Sequence, residues 1–143
     1  EIEKDFDGEP VVLVGILRGA VMWMVDIMKN VNLDMVIDFM AVSSYGSSTK
    51  SSGVVRINKD LDTDVAGKNV IIVEDISYLR GYFENREAKA VKICTLLDKP
   101  SGRKVDIDVD YIGFTVDDRF IVGYGLDYDQ RYRNLPYITY LEE

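Results

Sequence analysis

Asn69-Val70-Ile71-Ile72-Val73-Glu74-Asp75-Ile76 is the stretch from which the fold can be read. Its four consecutive β-branched residues predict a short strand buried on both faces, the kind found in the middle of a parallel sheet. Two adjacent carboxylates, Glu74 and Asp75, fall at its carboxyl end. In open α/β sheets that edge gathers loops and helix N-termini, and ligands bind there. A carboxylate pair at such a place can hold sugar hydroxyls or a hydrated Mg²⁺ ion, or it can simply end the strand and face water.

Upstream of this stretch, Val11 to Gly15 reads as a second doubly buried strand after the turn Asp7-Gly8-Glu9-Pro10, and Ile16-Leu17-Arg18-Gly19 as the loop at its end. Ala20 to Met28 is apolar almost all round, which predicts a helix packed between the sheet and a neighbouring surface. Met35 to Val42 is a further strand, so the order strand, helix, strand implies a right-handed parallel crossover. Residues 43–53 contain six Ser, two Gly and no aliphatic residue, and are expected to form a flexible loop. Such a segment is either a plain linker or a functional loop, and Tyr45 within it is a candidate lid residue.

Downstream, Leu79, Tyr82, Phe83 and Arg86 recur at helical spacing within Ser77 to Arg86. A βα connection takes about two to six residues, whereas Asp75-Ile76-Ser77 leaves almost none. Either the strand ends early or further residues stand between Ile76 and Ser77 in the intact protein. Val54 to Ile57, Val91 to Leu97, Tyr111 to Phe114, Phe120 to Tyr124 and Tyr137 to Leu141 are the remaining expected strands. Between Gly125 and Arg133 lies an irregular loop of acidic, aromatic and basic residues.

At 143 residues and 47% apolar content, the chain suits one well-buried α/β domain spanning 1–143 and is too short for two ordinary ones. A net charge of −8, from 25 acids and 17 bases, argues against nucleic acid or anionic membrane as a general partner. His is absent, so any acid or base must be carboxylate, Lys or Tyr. The single Cys94 sits inside an apolar run, which fits a buried, reduced thiol and a cytoplasmic protein. No apolar stretch approaches the length of a membrane span.

Leu17-Arg18-Gly19 after a strand, Ser44-Tyr45-Gly46 in the Ser-rich loop, Val73-Glu74-Asp75-Ile76, Leu97-Asp98-Lys99-Pro100 and the run from Phe120 to Tyr128 occur in a familiar order and spacing. Together they resemble the hypoxanthine-guanine phosphoribosyltransferases, over nearly the whole chain. The resemblance implies the type I phosphoribosyltransferase fold, a mainly parallel central sheet flanked by helices. It also implies transfer of the 5-phosphoribosyl group from phosphoribosyl pyrophosphate to N9 of hypoxanthine or guanine, with Mg²⁺, in purine salvage. A homodimer or homotetramer is expected, consistent with the very apolar Ala20 to Met28.

Site residues follow from the same resemblance. Glu74 and Asp75 match the acidic pair at the ribose hydroxyls and the metal region, and Asp127 a second metal carboxylate. Leu17, Arg18 and Gly19 match the pyrophosphate loop, which commonly carries a non-proline cis peptide before its basic residue. That residue is usually Lys, so Arg18 keeps the charge and changes the geometry. Lys99 matches the donor to the purine 6-oxo group, Phe120 the stacking ring, Ile121 the backbone at the purine edge, and Arg133 the pyrophosphate-side base. Ser44 and Tyr45 match the lid that excludes water from the reacting centre. Read singly, Phe120 could be a core residue, Lys99 a solvated turn residue and Asp127 a turn cap.

One departure stands out. Family members continue the Glu-Asp pair with a segment of the type Ile-Asp-Thr-Gly-x-Thr-Leu, which cradles the 5′-phosphate at a helix N-terminus and supplies the Asp expected as base near purine N7. Here Ile76 is followed at once by Ser77-Tyr78-Leu79, as if seven residues were absent. The alternative function this suggests is a catalytically inactive, nucleotide-binding regulator.

Overall fold

The computed structural model describes residues 1–44, 55–74, 78–102 and 108–142. Helix α1 is Ile2–Phe6, followed by strand β1, Val11–Leu17, helix α2, Val21–Asn30, and strand β2, Met35–Ser44. Strands β3, Val55–Lys59, and β4, Asn69–Val73, precede helix α3, Tyr78–Asn85. Strand β5 is Ala90–Asp98, β6 is Tyr111–Thr115, and β7 and β8 are the two-residue strands Ile121–Val122 and Thr139–Tyr140.

Six strands form one sheet in the order β3-β2-β1-β4-β5-β6, parallel except for the antiparallel edge strand β3. All five residues of β4 are buried, as four β-branched residues in a row require of a central strand. Because side chains alternate along a strand, each buried strand feeds two cores. Val12, Val14 and Ile16 of β1 join Val70 and Ile72 of β4 under Leu79 and Phe83 of α3. Val11 and Leu13 join Ile71 and Val73 under Met24 and Ile27 of α2 and Phe6 of α1. The sheet is therefore covered by helix on both faces.

Strand order reverses between β1 and β4: the chain runs outward through β2 and β3 on one side, and through β5 and β6 on the other. A crevice opens at the carboxyl ends of the two strands flanking such a reversal. At that edge β1 delivers Leu17, β4 delivers Glu74 and β5 delivers Lys99.

The central strand ends at Val73, so Glu74 follows its carboxyl end as expected. Elsewhere expectations are corrected. The strand expected over Phe120 to Tyr124 is only Ile121–Val122, because Gly123 turns the chain with a φ of 93°. Helix α1 has no counterpart among the sequence-based expectations. On α2, Val21, Val25 and Met28 remain more than a third exposed, while Met24 and Ile27 face the sheet. Tyr45, Asp75, most of the 43–53 loop and the junction between Ile76 and Ser77 lie outside the described residues.

Candidate active site

The peptide bond between Leu17 and Arg18 is cis, and Arg18 follows directly on β1. Two cavities adjoin at this end of the sheet. One, of about 270 Å³, is lined by Gly19, Ala20, Trp23, Glu74, Lys99 and Ile121 among others. The second, of about 260 Å³, is lined by Leu17, Gly19, Glu74, Leu126, Asp127 and Arg133 among others. They share Gly19, Glu74 and Leu126, so Glu74 stands between a compartment walled by Lys99 and one walled by Asp127 and Arg133.

The loop carrying Asp127 and Arg133 is shaped by backbone rather than by regular structure. Tyr124, Asp129, Gln130 and Tyr132 all have positive φ values, as do Gly123 and Gly125. Gly125 has a φ of 96°, and a Cβ there would lie 2.4 Å from the carbonyl oxygen of Gly19. Only glycine permits that approach, which seats the loop against the turn after β1. The Arg133 guanidinium pins the loop to itself, with Nη1 donating to the Gly125 carbonyl at 2.7 Å and Nη2 lying 3.1 Å from Asp127 Oδ1. Asp127 Oδ2 accepts the Gln130 backbone N–H at 2.8 Å.

On the other side, Lys99 reaches across from the end of β5 and donates through Nζ to the Arg119 carbonyl at 2.7 Å. Strand β7 pairs antiparallel with β8, and the Leu141 N–H donates to the Phe120 carbonyl at 2.9 Å, making a small ribbon separate from the main sheet. Ile121 lines the first cavity, whereas Phe120 does not. Its ring is 53% exposed and sits edge to face with Tyr128, centroids 5.6 Å apart.

Of the residues singled out in sequence, Leu17, Gly19, Glu74, Lys99, Ile121, Asp127 and Arg133 line the two cavities. Arg18 is joined to them through a hydrogen bond from Nη1 to Gln130 Oε1 at 2.7 Å. Ser44 ends β2. Sequence reasoning missed Trp23 and Gln130. Trp23 had a usable signal, being the sole Trp and falling in the first turn of the helix that follows the β1 loop. Gln130 had none.

Among the described residues no group of three or more metal-binding side chains comes together. Glu74 and Asp127 do line one cavity. Such a pair fits Mg²⁺, which is typically held by one or two carboxylates and completes its shell with water and phosphate oxygens.

A mainly parallel open sheet with arginine-bearing loops and carboxylates at its switch point is a framework suited to a phosphorylated ligand. The chain belongs to the phosphoribosyl transferase domain family, whose family model matches residues 1–129. Its branch is that of the hypoxanthine-guanine phosphoribosyltransferases. It is 52% identical to the enzyme of that name from Bacillus subtilis, over 99% of this chain and 83% of the relative. To the Streptococcus thermophilus enzyme it is 49% identical, over 100% of this chain and 83% of that one. Among solved structures, a hypoxanthine phosphoribosyltransferase from Staphylococcus aureus superposes with a TM-score of 0.94 at 44% identity, covering 99% of this chain and 80% of that one. A Bacillus anthracis hypoxanthine-guanine phosphoribosyltransferase with a HEPES molecule in its active site gives 0.93 at 44%, covering 99% and 87%. The alignment with the S. thermophilus enzyme runs over 150 positions against the 143 residues here, so at least seven positions of that relative face no residue of this chain.

Proposed function

We propose that the protein converts hypoxanthine or guanine with phosphoribosyl pyrophosphate into IMP or GMP and pyrophosphate, in the cytoplasm and as a homo-oligomer. The observation that carries this reading is the pair of adjoining cavities with Glu74 between them. A purine, a ribose and a pyrophosphate laid in line need a base-side donor, a sugar-side acid and leaving-group cations in that order. Supporting that order, Lys99 lines one cavity, Glu74 both and Arg133 the other, with Arg18 joined to Arg133 through Gln130.

In the reaction the bond from ribose C1′ to the pyrophosphate oxygen breaks, a bond from C1′ to purine N9 forms, and the purine loses a proton. Lys99 leaves the Arg119 carbonyl to donate to the 6-oxo group, a contact a 6-amino purine cannot accept. Phe120 supplies a ring for stacking and Ile121 its backbone at the purine edge. Glu74 and Asp75 accept hydrogen bonds from the ribose hydroxyls, which orients C1′ between nucleophile and leaving group. Arg18 and Arg133 neutralise charge gathering on the pyrophosphate. Glu74, Asp75 and Asp127 would hold Mg²⁺, which when bound supplies positive charge against the substrate's phosphates. Ser44 and Tyr45 close over the centre, excluding water that would otherwise hydrolyse the ribosyl cation.

In the family that the sequence resembles, the proton acceptor near N7 and the cradle for the 5′-phosphate belong to a segment after the Glu-Asp pair, and this sequence passes directly from Ile76 to Ser77 there. The sequence supplies no Gly- and Thr-rich phosphate loop at that point. Steady-state assay of nucleotide formation from each 6-oxopurine, with phosphoribosyl pyrophosphate and Mg²⁺, tests the activity. Binding of nucleotide without turnover would favour the inactive regulator instead.

A further inference from the structure

Gln130 belongs to no motif, yet it touches three of the groups assigned to the pyrophosphate side of the site. Its side-chain oxygen accepts from Arg18 Nη1 at 2.7 Å and from Arg133 Nη2 at 3.3 Å. Its backbone N–H donates to Asp127 at 2.8 Å. Two guanidinium groups, carried by loops far apart in sequence, thus converge on one neutral oxygen.

We propose that Gln130 is a positioning residue for pyrophosphate: its amide oxygen holds one N–H group each of Arg18 and Arg133 and so keeps both guanidinium groups aimed at the pyrophosphate side of the site. This inference rests on the phosphoribosyltransferase reading of the site. Two like charges brought together repel, and side chains as long as Arg lose considerable rotamer freedom when fixed. A shared acceptor offsets both effects before the ligand arrives, which is what preorganisation means here. A neutral amide does so without cancelling the positive charge that the anion needs. A carboxylate in the same place would hold the arginines more strongly and compete with the incoming phosphate oxygens.

Arg at position 18 suits this arrangement. The guanidinium fork can donate to Gln130 through Nη1 and still offer other N–H groups to an anion. Gln130 and its neighbour Asp129 have φ values of 64° and 50°, so the loop adopts a conformation uncommon for side-chain-bearing residues just where this amide turns toward the arginines.

The test is a double-mutant cycle on the full chain, read as the dissociation constant of inorganic pyrophosphate with Mg²⁺ by calorimetry. Gln130→Ala is expected to weaken binding roughly fivefold in the wild-type background and less than twofold with Arg18→Ala, a coupling within the range for residues in contact. Gln130→Glu is expected to weaken binding about tenfold while leaving Tm at or above the wild-type value, since it adds charge-assisted bonds to the arginines. A merely structural role for Gln130 would give equal losses in both backgrounds, and that additivity, or wild-type affinity in Gln130→Glu, would overturn the proposal. If the wild-type protein binds no pyrophosphate at all, the assignment of the site itself fails and this inference with it. Measurable wild-type binding with an additive cycle removes only the role of Gln130.

Discussion

Replacing Gly125 by Ala probes whether two loops must touch for the site to exist. The new Cβ would lie 2.4 Å from the Gly19 carbonyl oxygen and 3.6 Å from Met22 Cγ. Real Cβ contacts essentially never fall under 3.0 Å, so the loops must part by at least about 0.6 Å. Neither contact at the Gly19 end is a flexible side chain that could swing away. The φ of 96° adds about 1–2 kcal/mol, the usual cost of placing an L-residue in left-handed backbone. Together these predict a loss of about 2 kcal/mol and a Tm lower by roughly 4–8 °C. Function should suffer more than stability, because the movement separates the turn bearing Arg18 from the loop bearing Asp127 and Arg133. A misplacement near 1 Å can cost on the order of a hundredfold in rate. Thermal unfolding and steady-state kinetics with phosphoribosyl pyrophosphate as varied substrate measure both effects, with its KM expected to rise more than that of the purine. An Ala variant with wild-type Tm and wild-type KM would show that the two loops do not meet in solution.

Four further outcomes are expected. Lys99→Met should raise KM for hypoxanthine and guanine at least tenfold and leave phosphoribosyl pyrophosphate binding nearly unchanged, the removed charged hydrogen bond being worth about 1.5–3 kcal/mol; equal loss of both would remove Lys99 from the purine site. Excess chelator should abolish turnover, since a chain of net charge −8 must otherwise bind a highly anionic substrate against its own field; full activity in chelator would dismiss the roles given to Glu74, Asp75 and Asp127. Burial pushes the Asp38 carboxyl up, but hydrogen bonds from the Thr63 side chain and from the backbone N–H groups of Thr63, Phe39 and Asp62 hold it below the ordinary carboxylate range. A depressed folded-state value stabilises above the unfolded value near 3.9, and that contribution is lost as pH falls through the lower folded value. Asp38→Asn should therefore cost about 1–3 kcal/mol at neutral pH and flatten the acid limb of the stability profile; an unchanged acid limb in urea titrations would contradict this. Finally, the tryptic peptide running from Asn69 to Arg80 should be heavier than its twelve residues here by the mass of about seven more; the shorter mass would turn the reading toward the inactive nucleotide binder.

The parts of the fold legible in sequence are those where chemistry is local. Val70 to Val73 and Val11 to Val14 lie in unbroken apolar runs, which no solvent-facing element tolerates, and both proved to be doubly buried strands. Helix α1 was not legible because five residues with only Phe6 buried carry almost no periodicity. The segment Phe120 to Tyr124 looked like a strand by composition, yet at Gly123 a Cβ would strike the Tyr137 carbonyl at 2.1 Å, and the chain turns there instead. At the candidate site, Leu17, Gly19, Glu74 and Lys99 line the cavities and each lies at the end of a readable strand, but it was the family resemblance that singled them out. Gln130 was not, since its meaning comes from a contact with a residue 112 positions away. Trp23, the sole Trp, carried a signal but falls in a helix that is apolar almost all round, where the reading took it as packing. Asp75, Tyr45 and the Ile76 to Ser77 junction lie outside the described residues, and their assignments stand as proposals.

The ribbon of β7 and β8 has a consequence for how such enzymes diversify. Arg18 and Glu74, proposed to face the leaving group and the sugar, ride on the edge of the six-stranded sheet, whose register is locked by two cores. The purine-edge contacts proposed at Phe120 and Ile121 ride instead on a ribbon held by two short strands and the bond from Leu141 to Phe120. A lineage can therefore retune which base it accepts by editing a handful of residues in that ribbon, while the costlier apparatus for handling the sugar is inherited intact.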